Sequence, residues 1–370
     1  MATIVTICGT SLLTNTARVK GFDLASIARN ANVASIDKVP AEDRDKIVEL
    51  LSDLDTSLEF SSYFKLSAEI NSLGAYYRSI NRSPKGDRHI LISTDTWLGS
   101  LAAQKIAIVL KQVAKEDDIL IKTVPGLRTN DSKEFREGCS SLLITLFNLH
   151  LEASNKQESL VLNLTGGFKS VLMTLQSFAM LYSIPSFNLF EFNPELLWLP
   201  QLPFKFDHHE FVVSHLKEFR LLTTGLFQGE IPPALDFAIY STNDNQHMLS
   251  EWGELLWATE RSSIYRSQLF EPPVDLMKFA PGFQKQAETF ARASDKLEEL
   301  NNKIDIIAKL IASNNTSEGL HLDGTKIKKL KGRTTDVSTH EIYASNDNAT
   351  RIYCHRDGLH WILDRLGKHL

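Results

Sequence analysis

The feature that most constrains this 370-residue chain is an alternation confined to roughly its first two hundred residues: short apolar runs separated by segments with apolar residues at helical spacing. TIVTIC (3–8), HILIS (89–93), ILIKTV (119–124), SLVLNL (159–164) and SFNLFEF (186–192) predict strands. AEDRDKIVELLSDLD, TWLGSLAAQKIAIVLKQVA, DSKEFREGCSSLLITLFNLHLEA and FKSVLMTLQSFAMLY predict helices between them. Strands alternating with helices imply an α/β fold with a mostly parallel, doubly wound sheet and right-handed crossovers.

The pattern changes near residue 205. From there to about 271 it becomes helical, through HHEFVVSHLKEFRLLTT, LDFAIYS and MLSEWGELLWATE. PPVD (272–275) marks a second joint. The last segment opens with VDLMKF and long helices, then closes on three short strands, THEIYAS, TRIYCHR and LHWILDR, joined by NDN and DG. Three domains are therefore expected: 1–205 doubly wound, 206–271 a helical or winged-helix-like connector, and 272–370 a small α+β unit.

Composition narrows the function. A net charge of −5 excludes a chain basic throughout, so a nucleic-acid surface must be local. One exists between Lys326 and Arg333, where five of eight residues are basic. Cys8, Cys139 and Cys354 are too far apart for a disulfide framework or a CxxC pair, which suits a reducing compartment. No signal-peptide pattern or long apolar window is evident, so a cytoplasmic protein without membrane contact is expected.

Ligands of doubly wound sheets bind beyond the carboxyl ends of the strands. NLTGGFKS (163–170) falls at such an end, with two glycines to admit close approach and Lys169 at the start of the following helix, an arrangement favouring anions. It matches neither GxGxxG nor GxxxxGK[ST], which argues against a nicotinamide cofactor or ATP hydrolysis. CGTSLLTN (8–15) and STDTWLG (93–99) are equivalent polar loops.

CGTSLLTN, SAEINSLGA (67–75), TVPGLRTNDSKEFREG (123–138), NLTGGFKS and NPELLWLPQLP (193–203) together resemble the CARF domain, the sensor half of CRISPR ancillary proteins. The resemblance implies a Rossmann-like homodimer that binds a cyclic oligoadenylate, with tetra-adenylate the first expectation, across its two-fold axis. It implies that Thr10, Ser11, Asn15, Thr165, Gly166, Gly167, Phe168 and Lys169 line that ligand. A cyclic phosphodiester carries one negative charge per nucleotide and calls for backbone donors and hydroxyls more than for a metal. A two-fold ring also suits an isologous dimer.

A sensor needs an output, and the C-terminal segment offers cations on a small sheet. Alternation places Arg351, Tyr353 and His355 on one face. The HEPN ribonuclease pattern is excluded because TTDVST, between Arg333 and His340, is β-branched and unlike a helix. No convergent carboxylate set suggests a metal nuclease, and the consecutive Asp207, His208, His209 and Glu210 of FDHHEF point in different directions on a helix and cannot all reach one ion. Segments 330–332, 341–343, 351–354, 357–358 and 367–369 resemble the RelE family of messenger-RNA-cutting toxins, with Tyr343 where that family carries Arg, Thr350 where Tyr is usual, and His369 after Lys368. The resemblance implies metal-independent cleavage, without a cofactor, of mRNA on the ribosome: the 2′-hydroxyl attacks its own phosphate and translation stops. Arg351 and Lys368 would then stabilise the phosphate, His369 and His340 would move protons, and Lys328, Lys329, Lys331 and Arg333 would hold the RNA backbone. The alternative is a CARF winged-helix transcription regulator with a non-catalytic C-terminal domain.

Overall fold

The computed structural model describes all residues except 23, 53–57, 168, 191–194, 204, 243, 245, 291–293, 314–320, 323–324, 331–336, 345–349 and 369–370. The chain divides into two compact units, Met1–Phe206 and Asp207–Leu370.

The first unit holds strands β1 (Ala2–Ile7), β2 (Arg88–Thr94), β3 (Ile119–Val124), β4 (Ser159–Asn163), β5 (Ser186–Leu189) and β6 (Leu196–Trp198). Its helices are α1 (Ser11–Lys20), α2 (Leu24–Arg29), α3 (Ala41–Ser52), α4 (Ala68–Ser79), α5 (Trp97–Leu110), α6 (Ser132–Asn155) and α7 (Lys169–Leu181). The strands lie in the order β3-β2-β1-β4-β5-β6, parallel except for β6. β1 is buried along its whole length, its two threonines included, as suits an apolar-rich strand covered on both faces. The edge strand β3 exposes its middle residues. Winding runs outward in both directions from β1 and β4, so the switch point lies between them, and beyond their carboxyl ends a ligand crevice is expected.

Residues 11–15, expected in a polar loop, are helical. Leu12, Leu13, Thr16 and Ala17 form the buried stripe of α1, which ends on Gly21 at φ 75. Asn15 therefore sits on a helix, one turn in from the loop.

The second unit begins with α8 (His208–Ser214) and α9 (Leu216–Thr224). The end of LDFAIYS and the start of MLSEWGELLWATE, expected to be helical, instead form a hairpin of β7 (Ile239–Ser241) and β8 (His247–Leu249), and α10 (Glu251–Ser267) starts only after Ser250 caps it. β9 (Met277–Phe279), α11 (Pro281–Phe290) and α12 (Ser294–Ser313) follow, then β10 (His321–Leu322), β11 (Thr325–Lys326), β12 (Lys328–Lys329), β13 (His340–Tyr343), β14 (Thr350–Asp357) and β15 (His360–Lys368). The sheet order is β12-β13-β14-β15-β9, with β9 parallel to β15 and the other pairs antiparallel. One face packs on α11 and α12 through Ile342, Ile352, Cys354 and Leu363 against Phe283, Leu300, Ile304 and Ile307. The two-residue turn after Asp357 places Gly358 at φ 60, the left-handed conformation such hairpins need.

Buried polar contacts fasten the 207–271 segment to α12. Arg220 donates through Nε to Asp305 Oδ1 at 2.8 Å and through Nη1 to the Glu271 carbonyl at 2.6 Å, and the Tyr265 hydroxyl donates to Asp305 Oδ2. The Asn301 amide donates to the carbonyls of Tyr265 and Gln268 and accepts from the Phe270 N–H. Among the described residues no helix is long and apolar enough to cross a membrane, and no three His, Cys, Asp or Glu side chains are placed to hold a metal ion.

Candidate functional sites

At the switch point the turns after β1 and β4 touch: a Cβ on Gly9 would come within 2.9 Å of the Gly167 N. What lies between them was not legible in the sequence. Glu69, in the first turn of α4, is fully buried. Its Oε1 accepts the Gly9 N–H at 2.8 Å, and its Oε2 accepts the hydroxyls of Ser11 and Ser67, both at 2.7 Å. A Cβ on Gly166 would collide with this carboxylate, while Gly167, at φ 94, turns against Ile7. The glycines make room for Glu69 and Ile7 beneath the turn. The amide of Gly9 is already engaged by the protein.

The β4 turn is fixed from below by buried Asn163, whose Oδ1 accepts the Thr165 N–H at 3.2 Å while its Nδ2 donates to Ser72 Oγ at 2.8 Å. Thr165 Oγ1 accepts the Leu189 N–H at 3.1 Å, tying the turn to β5. Burial pushes the Cys8 thiol well up, with the Glu69 charge adding to it, so this cysteine stays protonated and unreactive.

Above this floor opens a cavity of about 850 Å³. Of the expected ligand residues it is lined by Ser11, Asn15, Thr165 and Lys169; Thr10, Gly166 and Gly167 do not line it, and Phe168 lies outside the described residues. The cavity also brings in Arg18, Lys65, Asn71 and Asn188, together with the rings of Phe64 and Phe190, the latter 55% exposed. Arg18 stands one turn beyond Asn15 on α1 and donates to its Oδ1 at 3.0 Å; Asn15 in turn donates to the Leu66 carbonyl at 3.2 Å. Among the described residues three cations line the space and no carboxylate does. Cations suit phosphates, side-chain amides suit base edges, and aromatic rings suit stacking, so the lining fits an anionic ligand bearing nucleobases.

In the second unit, strand register sorts the expected catalytic residues by face. Arg351 pairs with Tyr343 and Gly367, and His340 pairs with Cys354. Residues three apart on a strand point to opposite faces. His340 accordingly lies on the helix-packed face, its ring 5.0 Å from that of Trp361, and Arg351 lies on the other. The structure does not bring these two together. Consecutive Lys328 and Lys329 likewise face opposite ways. Lys368 pairs with Thr350 through its backbone, and the contacts of its side chain are outside the described residues, as are His369, Lys331 and Arg333.

On the face of Arg351 the residues form a ladder of cations and rings. The Arg351 guanidinium lies 3.8 Å from the Tyr343 ring centroid, with its Nε 3.8 Å from Glu341 Oε2, and its side chain is only 4% exposed. Lys328 Nζ donates to the Tyr343 hydroxyl at 2.9 Å. That hydrogen bond and charge, with Arg351 adding to them, hold the phenol below the usual tyrosine range. Next along, the Arg365 guanidinium covers the Tyr353 ring at 3.9 Å. A bulge between Tyr353 and Cys354 places consecutive Asp364 and Arg365 on this face. Asp364 Oδ1 lies 2.8 Å from His355 Nδ1 and its Oδ2 accepts the Ser338 hydroxyl at 2.9 Å, leaving His355 26% exposed.

Comparison with known proteins bears on the first unit. No curated protein sequence is significantly similar to the chain. Two solved structures align over most of it: Can2 from Sulfobacillus thermosulfidooxidans in complex with cyclic tetra-adenylate (9% identity, 97% of this chain and 80% of that one, TM-score 0.26), and protein VC1899 from Vibrio cholerae (10% identity, 96% and 82%, TM-score 0.27). At such scores neither alignment carries an argument. Residues 64–202, which span α4 to the end of the first unit's sheet and contribute ten of the thirteen described residues lining the cavity, match the family model described as CRISPR-associated protein (Cas_APE2256).

Proposed function

We propose that the chain is a ribonuclease of CRISPR antiviral defence switched on by a cyclic oligoadenylate. The observation that carries the sensing half is the cavity at the β1/β4 switch point, lined by Arg18, Lys65 and Lys169 with three asparagine amides and two phenylalanine rings. The match of residues 64–202 to a CRISPR-associated family supports the biological setting. The ring lies across the axis of a homodimer, each copy presenting one such cavity to half of the phosphates.

The cutting half is assigned to the sheet of the second unit, acting on mRNA in the ribosomal A site after the manner of RelE toxins. Lys328, with the cations of 331–333, holds the RNA backbone, while Arg351 and Lys368 offset the charge that builds on phosphorus as the 2′-hydroxyl attacks. The burial of Arg351 favours a second reading, in which this unit is not catalytic and the chain regulates transcription through residues 206–271.

Translation of a reporter mRNA with purified protein, EDTA and each ring size in turn separates the two. The ribonuclease reading expects ring-dependent cuts ending in 2′,3′-cyclic phosphate and 5′-hydroxyl, lost in Arg351→Ala and no longer triggered in Lys169→Ala. Cleavage that requires added metal, or that survives Arg351→Ala, overturns it.

A further inference from the structure

Cleavage by 2′-hydroxyl attack expels a 5′-alkoxide, a poor leaving group unless a proton reaches it as the bond breaks. His340, one of the two histidines expected to serve, points to the helix-packed side of the sheet. The face that carries Arg351 offers a different group. Tyr343 stands opposite Arg351 across the β13–β14 pair, with the guanidinium against its ring and the Lys328 ammonium hydrogen-bonded to its oxygen. Lys328 is itself half-buried, and its ammonium also lies 4.7 Å from the Tyr343 ring centroid. A phosphate drawn to Lys328 would therefore arrive beside the Tyr343 hydroxyl.

We propose that the phenol of Tyr343 is the general acid of RNA cleavage, donating its proton to the departing 5′-oxygen of a phosphodiester seated against Lys328. The proposal rests on the ribonuclease reading above. As the 2′-oxygen forms its bond to phosphorus and releases its proton to water, the P–O5′ bond breaks, its electron pair goes to O5′, and O5′ takes the Tyr343 proton. The phenolate is then reprotonated from water, so the RNA is cut with no net gain or loss of atoms. Adjacent cations suit this role: they favour the phenolate that forms in the step, which makes the phenol a readier donor. Tyrosine at a position where related toxins carry arginine thus exchanges a fixed charge for a transferable proton.

The test compares wild type and Tyr343→Phe under single-turnover conditions, with the activating ring present, on two short mRNAs bound in the A site of ribosomes. One is ordinary; the other carries sulfur in place of the bridging 5′-oxygen at the cut, and a thiolate leaves without protonation. Tyr343→Phe is expected to cut the ordinary RNA about 100-fold more slowly and the 5′-thio RNA within about 3-fold of wild type. Equal impairment on both substrates would mean that the hydroxyl only supports Lys328, and no impairment on either would mean that it plays no part; both results overturn the assignment while leaving the ribonuclease reading intact. A wild type that cuts neither RNA with any ring overturns that reading, and the role of Tyr343 with it.

Discussion

Replacing Glu69 tests the physical basis of the switch-point cavity. Its carboxylate is fully buried and accepts from three donors, the Gly9 N–H and the hydroxyls of Ser11 and Ser67, at 2.7–2.8 Å. In Glu69→Ala all three lose their acceptor in a space too tight to rearrange freely, since the neighbouring glycines already sit against the carboxylate. An orphaned buried donor costs about 1–3 kcal/mol, and rotation of the hydroxyls recovers some of it, so the net loss is about 3–5 kcal/mol. For a unit of this size each kcal/mol lowers Tm by about 2–4 °C, which puts the expected drop at roughly 6–20 °C. Glu69→Gln keeps an oxygen for Gly9 and the volume of the side chain, and should cost only about 1–2 kcal/mol. Calorimetry of the three proteins measures both differences. An alanine variant that melts with the wild type, or a glutamine variant as unstable as the alanine one, would refute the view that this carboxylate holds the two turns together.

Two further perturbations address the rest of the framework. His89 is buried beside Tyr77 and Asp87, and burial depresses its pKa to about 4, so the folded chain keeps it neutral where the unfolded chain would protonate it near 6.5. The stability linked to this group is complete above pH 6.5 and is lost as pH falls towards 4, by about 3 kcal/mol in all; His89→Gln should flatten that part of the stability–pH curve, read by urea titration. Asp305 is buried between Arg220 and Tyr265, and burial raises its pKa despite the opposing charge of Arg220. Asp305→Ala should destabilise the second unit by about 3–5 kcal/mol by stranding the guanidinium, whereas Asp305→Ala combined with Arg220→Met should recover most of the loss in the same denaturation assay.

The strands of the first unit were plain in the sequence because central parallel strands are covered on both faces and so read as short apolar-rich runs, of which β1 and β4 are the clearest cases. Helix α1 was hidden by Thr10, Thr14 and Asn15, polar residues that read as a loop, although Leu12, Leu13, Thr16 and Ala17 carried the helical spacing. Reading that helix would have placed Arg18 beside Asn15 at the site. β7 and β8 are three residues each, too short for any periodicity to declare them. Glu69 looked like an ordinary acidic residue in a first turn, since nothing local shows that two distant glycine turns converge on it. In the second unit the residue types were visible but their partners depend on register. Only the pairing of Tyr343 with Arg351 separates Arg351 from His340, and only the bulge at Tyr353 and Cys354 gives His355 its carboxylate.

The central claim is that the cavity at the switch point holds a cyclic oligoadenylate, and titration calorimetry of cyclic tetra-adenylate into wild type and Lys169→Ala tests it most directly. The account predicts one ring per two chains for the wild type, with binding weakened about 10- to 100-fold in the variant, as expected for losing a charge-assisted contact to phosphate. Equal affinity in both proteins, or no heat of binding for any ring size, would contradict it.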